Sequence, residues 1–193
     1  MAETEPLISS SAEAGKVVIF SGPSGVGKDT VLDAWIAADP RVQRVVTYTT
    51  RPRRANETNG VDYHFVSENK FRELEAAGAF LEAKFVHGNY YASPLEVLST
   101  MLAQGKIAVL KIDVQGALDA MALLPNARTV FVLPPSFDEL ERRIRDRSTE
   151  DQAAINVRLT NATGELTLAD RYEIRVVNDD VERVVRELME LFP

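Results

Sequence analysis

The sequence lacks cysteine altogether, so no disulfide and no thiolate metal site can form, and a reducing compartment is permitted. It also lacks any apolar run approaching the roughly 20 residues that cross a bilayer. Residues 1–15 have neither the basic start nor the apolar stretch of a signal peptide, and we expect an acidic disordered tail there. These absences predict a cytoplasmic protein with no membrane partner.

Basic residues are outnumbered, since 22 Lys and Arg against 29 Asp and Glu give a net charge of −7. This balance argues against a broad nucleic-acid surface, which would be basic. The arginines are nevertheless concentrated, in one group at 51–54 and another at 142–147. Two such groups in an acidic protein indicate local binding of anions, with phosphates as the expected ligand.

Strand and helix patterns alternate along the chain. Short apolar runs predict strands at 16–20, 44–50, 106–112, 129–133 and 174–177, and periodic stretches predict helices at 28–38, 68–78, 94–104, 136–147, onward to about 170, and 180–191. Ser136 and Glu139 have the spacing of a capping box. We therefore expect a single α/β domain, a mostly parallel sheet flanked by helices. Monomer and homo-oligomer both remain compatible with this pattern.

A glycine-rich turn, GPSGVGK at 22–28, joins the first strand to the first helix. Such a turn lets backbone N–H groups and a helix N-terminus converge on a phosphate, with Lys28 adding a charge near the β- and γ-phosphates of a nucleotide. The residue after the lysine is usually Ser or Thr, a Mg²⁺ ligand, but here it is Asp29, followed by Thr30. A carboxylate can bind Mg²⁺ directly or through water. It also places a negative charge beside the phosphates, which a nearby cation should offset.

Beyond this loop the chain resembles the guanylate kinase family from residue 16 to its end. The segments that carry the resemblance are 22–28, 49–54 (TTRPRR), 60–67 (GVDYHFVS), 87–91 (HGNYY), 112–116 (IDVQG) and 177–180 (VNDD). The resemblance implies a P-loop NTPase-type core at 16–46, 94–136 and 170–193. It also implies a small, mostly β GMP-binding lobe at 47–93 and a helical lid at 137–169.

The resemblance also implies substrates and site residues. ATP would contact the loop residues Gly22, Pro23, Ser24, Gly25, Val26, Gly27 and Lys28, the helix residues Asp29 and Thr30, and Asn178. GMP would be held by Arg51, Arg54, Tyr63 and Tyr91 at its phosphate, by Glu82 and Ser93 at guanine, and by Thr47 and Asp113. Arg143, Arg147 and Arg158 would join Lys28 as catalytic phosphate clamps. Mg²⁺ would accompany ATP. At the position after the lysine, where this chain departs from the family, the carboxylate of Asp29 would bind the ion directly or through water.

One further departure from the family concerns Lys111, which stands where relatives commonly have Asp or Glu. The positive charge of Lys111 and the negative charge of Asp29 both depart from the family pattern, which suggests that one charge balances the other. We therefore expect Lys111 and Asp29 to lie close together as an ion pair. The alternative is that the lysine is an unrelated substitution.

The family mechanism implies direct in-line transfer of the γ-phosphoryl group of ATP to GMP or dGMP, within purine nucleotide metabolism. Two alternatives stay open. A related kinase of ribose 1,5-bisphosphate also carries Asp after the loop lysine, but it would not need Glu82 or Tyr63. A non-catalytic guanylate-kinase-like module would bind a phosphorylated partner protein, but such modules typically lose the ATP loop that is present here.

Overall fold

The computed structural model describes residues 15–55, 57–86, 88–147 and 152–193, without the side chain of Arg147. Residues 1–14 of the tail predicted at 1–15, and His87 of the 87–91 segment, lie outside the described residues. Gly15, the last residue of the predicted tail, is ordered, since its N–H donates to the carbonyl of Leu102 at 2.8 Å. The helices are α1 (Lys28–Ala38), α2 (Glu68–Ala76), α3 (Leu95–Ala103), α4 (Val114–Leu123), α5 (Phe137–Arg147), α6 (Gln152–Leu166) and α7 (Val181–Leu191). The strands are β1 (Lys16–Ser21), β2 (Val42–Arg44), β3 (Tyr48–Thr49), β4 (His64–Phe65), β5 (Phe80–Val86), β6 (Asn89–Pro94), β7 (Ile107–Lys111), β8 (Arg128–Leu133) and β9 (Ile174–Val177).

The predicted parallel sheet is confirmed. Five strands pair in the order β2-β7-β1-β8-β9, and every neighbouring pair is parallel. Its two faces bury different sets of side chains, as expected for a sheet covered by helices on both sides. Val18 and Phe20 of β1 pack with Trp35 of α1 and Leu188 of α7, whereas Ile19 packs on the opposite face in a separate cluster. The loops at the carboxyl ends of these strands are thereby held on a rigid base.

A second, smaller sheet has the order β4-β3-β6-β5 and contains residues between 48 and 94. Within it β3 is parallel to β4, and β6 is antiparallel to both β3 and β5. Helix α2 packs on this sheet through Phe71, which is fully buried and contacts the rings of Phe80 and Tyr90. We call this sheet the small sheet.

The single strand predicted at 44–50 is wrong. The chain pairs with β7 as far as Val45, whose N–H donates to the carbonyl of Val109 at 2.9 Å. It then leaves the large sheet and enters the small sheet as β3. The first part of the 44–50 segment therefore belongs to the large sheet, and the second part belongs to the small sheet.

Two helix predictions also need correction. The helix predicted to continue to about residue 170 ends at Leu166, and a short 3-10 turn follows at Ala169–Arg171. At the start of α5, Ser136 caps the N–H of Glu139 at 3.1 Å as predicted. The other half of the capping box is replaced, because the Glu139 carboxylate accepts hydrogen bonds from Arg142 and Arg143.

Candidate active site

The glycine-rich turn lies between β1 and α1, and two of its glycines are required by the close approach of other backbone and side-chain atoms. Gly22 has φ of 146°, and a Cβ there would lie 2.5 Å from the carbonyl of Val132. Gly27 has φ of 97° and N-caps α1, and a Cβ there would lie 2.5 Å from the amide nitrogen of Asn178. With no cap side chain, the first turn of α1 leaves its N–H groups for an anion.

Lys28 folds back over this turn. Its ammonium donates to the carbonyls of Gly22 at 2.6 Å and Pro23 at 3.0 Å. Burial lowers the pKa of Lys28 to about 8, against the opposing effect of the nearby Glu165 and Asp29 carboxylates. The lysine is thus a desolvated cation held at the mouth of the turn, where a bound phosphate would raise its pKa again.

The far side of the turn is supported by α5 and by the segment after β9. Asn178, 5% exposed, donates from its side-chain amide to the carbonyl of Val26 at 2.8 Å. Arg143 donates to the same carbonyl at 3.1 Å and to the carbonyl of Asn178 at 3.2 Å, and its third contact is Glu139 at 2.8 Å. Both residues were predicted as nucleotide contacts, and the structure shows that they also fix the loop backbone.

Helix α6 reaches the same turn. The Arg158 guanidinium lies 3.3 Å from the hydroxyl of Ser24, and the Ser24 N–H donates to the carboxylate of Glu165 at 3.3 Å. Sequence reasoning missed Glu165. The available signal was its position seven residues after Arg158, which places both on one face of a helix.

The predicted proximity of Lys111 and Asp29 is confirmed, since the Lys111 ammonium forms an ion pair with the Asp29 carboxylate. Arg44 lies 3.4 Å from the same oxygen and also binds Asp33 at 2.7 Å. Burial alone would raise the pKa of Asp29, but Lys111, followed by Arg44 and Lys28, holds it below the usual carboxyl range. Asp29 is therefore a stable carboxylate beside the phosphate turn.

Arginine and tyrosine side chains cluster beside the small sheet and near Lys111, whose ammonium lies 5.6 Å from the ring centre of Tyr63. The Arg51 guanidinium lies 5.6 Å from the ring centre of Tyr63, whose ring centre is 6.0 Å from that of Tyr91. Burial raises the pKa of Tyr63 to about 12, so its hydroxyl stays a hydrogen-bond donor. Glu57, which sequence reasoning missed, binds Arg51 at 2.7 Å and the backbone N–H of Arg54 at 2.8 Å. This carboxylate orders the loop that carries both arginines.

Glu82 and Ser93 face each other across β5 and β6, and the Ser93 hydroxyl donates to the Glu82 carboxylate at 2.7 Å. Ser93 is fully buried, and burial raises the pKa of Glu82. Thr47, 6% exposed, lies where the chain passes between the two sheets. A desolvated carboxylate with a hydroxyl beside it is suited to accept hydrogen bonds from a planar ring bearing adjacent N–H groups.

The structure brings most of the predicted site residues to the carboxyl-end edge of the large sheet and the facing small sheet. Asp113 N-caps α4 and accepts from the N–H groups of Gln115 and Gly116. Thr30 and Asp29 lie in the first turn of α1, and Gly25 packs against Ile144 of α5. Arg147 ends α5, but its side chain lies outside the described residues.

A parallel sheet whose first strand runs through a glycine-rich turn and lysine into a helix defines an α/β phosphate-binding protein of the P-loop type. The guanylate kinase family profile matches residues 14–193. The guanylate kinase of Trichormus variabilis is 43% identical over 175 residues, covering 91% of this chain and 88% of that protein. The guanylate kinase of Nitratidesulfovibrio vulgaris is 45% identical, covering 91% and 84%. A crystal structure of guanylate kinase from Anaplasma phagocytophilum matches with a TM-score of 0.76 at 30% identity, covering 92% of this chain and 84% of that one. The chain belongs to the guanylate kinase family.

In the described ranges, no helix has the length and apolar character needed to cross a bilayer.

Proposed function

We propose that this protein transfers the γ-phosphoryl group of ATP to GMP, and to dGMP, giving ADP and the nucleoside diphosphate. The observation that carries the proposal is the presence in one chain of a phosphate turn containing Lys28 and a buried Glu82 carboxylate paired with Ser93, which suits guanine. Such an enzyme belongs to purine nucleotide metabolism in the cytoplasm.

On the donor side, the turn and the first N–H groups of α1 would bind the β- and γ-phosphates of ATP. Lys28 would exchange its two carbonyl contacts for a phosphate oxygen. Arg143 and Arg158 reach the turn from α5 and α6, and guanidinium groups placed there offset charge that develops on the transferred group. Arg147 would add to this clamp, and Asn178 would lie near adenine while it supports the loop.

On the acceptor side, the Glu82 carboxylate would accept from N1–H and the exocyclic amine of guanine, with Ser93 orienting it. Arg51 and Arg54 would bind the GMP phosphate by their guanidinium forks, and phenol hydroxyls would donate to it without adding charge. Thr47 and Asp113 would complete this side. Adenine and uracil do not offer the same pair of donors, so the arrangement favours GMP over AMP and UMP.

Asp29 fits a role as protein ligand for Mg²⁺, because kinase sites commonly hold this ion by one or two carboxylates together with substrate phosphates. Both of its ion pairs end on Oδ1, which leaves Oδ2 for the ion or its water shell. Within the described ranges no cluster of three or more metal-ligating side chains occurs, which fits an ion carried mainly by ATP. When bound, Mg²⁺ would supply charge neutralisation at the phosphates.

The reaction needs no covalent intermediate, because the acceptor phosphate can attack the γ-phosphorus in line once both substrates are positioned. We assign the GMP-binding lobe to residues 47–93 and the lid to 137–169. Their approach to the core at 16–46, 94–136 and 170–193 would exclude water and limit wasteful hydrolysis of ATP.

A coupled ADP-release assay with ATP and Mg²⁺ tests the proposal by comparing GMP, AMP, UMP and ribose 1,5-bisphosphate as acceptors. We expect turnover with GMP that is lost in Glu82→Ala and kept in Glu96→Ala, a control on the exposed side of α3. Turnover with ribose 1,5-bisphosphate but not GMP would identify the related sugar-phosphate kinase instead. Tight binding of GMP without turnover would indicate a binding module.

A further inference from the structure

Lys111 occupies the sheet edge from which the phosphate turn departs. It is the last residue of β7 and pairs with Phe20 in the parallel register with β1. One residue further along, β1 ends at Ser21 and the turn begins. Side chains at this edge of a parallel sheet are positioned to meet ligands bound to the adjoining loops.

The Lys111 ammonium is largely removed from solvent. Its side chain is 11% exposed, whereas that of its partner Asp29 is 58% exposed. An ammonium has three N–H donors, and a buried charge is costly unless its donors are satisfied. Across the residues that the structure describes, Lys111 makes one side-chain hydrogen bond, to Asp29. Two donors are therefore available for a further acceptor.

The space next to this ammonium belongs to the acceptor site. Its nitrogen lies 5.6 Å from the ring centre of Tyr63, which in turn neighbours Arg51 and Tyr91. The same ammonium pairs with Asp29, which lies in the first turn of the helix that follows the phosphate turn. Lys111 is therefore close both to a group assigned to the GMP phosphate and to a group assigned to ATP.

We propose that Lys111 contacts the phosphate of bound GMP on the side that faces the phosphate turn, and that Asp29 is a positioning residue that holds the ammonium there. This inference rests on the proposed function. A simpler role for Lys111 would be to neutralise Asp29. That role leaves the two remaining donors without an acceptor, and Arg44 already lies 3.4 Å from the Asp29 carboxylate.

Calorimetric titration with GMP and with guanosine, in EDTA and without ATP, tests the contact. The comparison includes the wild type, Lys111→Met and the double variant Asp29→Asn/Lys111→Met. Loss of a charge-assisted hydrogen bond should weaken GMP binding about 10- to 150-fold in Lys111→Met. Guanosine binding should not change, because guanosine has no phosphate. The double variant should bind GMP as weakly as Lys111→Met does.

Lys106→Met is the matched control, since Lys106 precedes the opposite end of β7 and binds the carbonyl of Pro40. It removes the same charge and should keep both affinities. Recovery of wild-type GMP affinity in the double variant would overturn the proposal, because Lys111 would then only neutralise Asp29. Equal losses for GMP and guanosine would overturn it as well, by showing a distorted site. A wild type that neither binds nor phosphorylates GMP would instead refute the proposed function.

Discussion

Replacing Glu82 by glutamine distinguishes the effect of this carboxylate on the stability of the fold from its contribution to GMP binding. The amide keeps an oxygen for the Ser93 hydroxyl, which now donates to the carboxylate at 2.7 Å. It removes the charge that guanine would use and presents an N–H group to the guanine donors. Hydrogen bonds to charged groups contribute about 1.5–3 kcal/mol, so the KM for GMP should rise about 10- to 150-fold.

The same variant should melt at a higher temperature than the wild type near neutral pH. Burial raises the pKa of Glu82 in the folded protein, which means that the ionised carboxylate is more costly in the fold than in the unfolded chain. Stability linked to Glu82 is fully present below its unfolded pKa and is lost as pH rises through the raised folded pKa. The advantage of Glu82→Gln in Tm should therefore shrink as pH falls from the neutral range toward the unfolded glutamate pKa of about 4.3.

The KM for GMP should depend on pH in the opposite sense, because low pH favours the fold but weakens GMP binding. Guanine needs the ionised carboxylate, so the wild-type KM for GMP should rise as pH falls through the raised pKa, and that of Glu82→Gln should not follow it. Thermal melts and GMP saturation curves over the same pH series measure both effects. A difference in Tm that is independent of pH, or a glutamine variant with the wild-type KM, would refute this reasoning.

Three further predictions concern the phosphate turn. Lys111→Glu alone should reduce turnover more than Lys111→Glu combined with Asp29→Ser. The reason is that two facing carboxylates 4 Å apart repel by about 4 kcal/mol at an effective dielectric of 20. Additive effects of the two substitutions on turnover would contradict the pairing. Asn178→Ala should remove the 2.8 Å hydrogen bond to the Val26 carbonyl while Arg143 still donates to it, costing about 0.5–1.5 kcal/mol and lowering Tm by roughly 1–6 °C, with a raised KM for ATP. An unchanged melting curve for Asn178→Ala would show that Asn178 does not stabilise the loop. Arg143→Met should reduce kcat about 100- to 1,000-fold, whereas Arg142→Met, a 60% exposed neighbour, should stay within about threefold; equal losses would show that helix stability and not the clamp is responsible.

The sequence predicted the elements of the large sheet well because each is defined by local pattern. The buried strands around Val18 and Val109 are uninterrupted apolar runs, and the turn at 22–28 is marked by its glycines. The prediction of one strand at 44–50 failed because both halves of this segment are rich in β-branched residues, while two different sheets take them up. Hydrophobicity reports burial and not the identity of the partner strand.

Lys28 could be predicted from the glycine-rich motif, and Glu82 through the family resemblance. Glu57 could not be predicted, and Glu165 was missed although its spacing from Arg158 gave a signal, because a carboxylate on a loop or helix surface is ordinarily solvated. Their partners, Arg51 and the Ser24 N–H, become neighbours only after folding. The pairing of Lys111 with Asp29 was predictable because two departures of opposite charge occurred together.

The chain crosses between its two sheets twice, and both crossings are short. Outward, only 45–47 separates β2 from β3, and on the return β6 ends at Pro94 directly before α3. Thr47 lies on the outward crossing and Ser93 next to the return. A purine nucleotide held by both residues would connect the two crossings non-covalently for as long as it stays bound. If this nucleotide binds more tightly at one relative orientation of the two sheets, any ligand in the phosphate turn that favours the same orientation must raise its affinity. By linkage, the nucleotide must raise the affinity of that second ligand by the same factor.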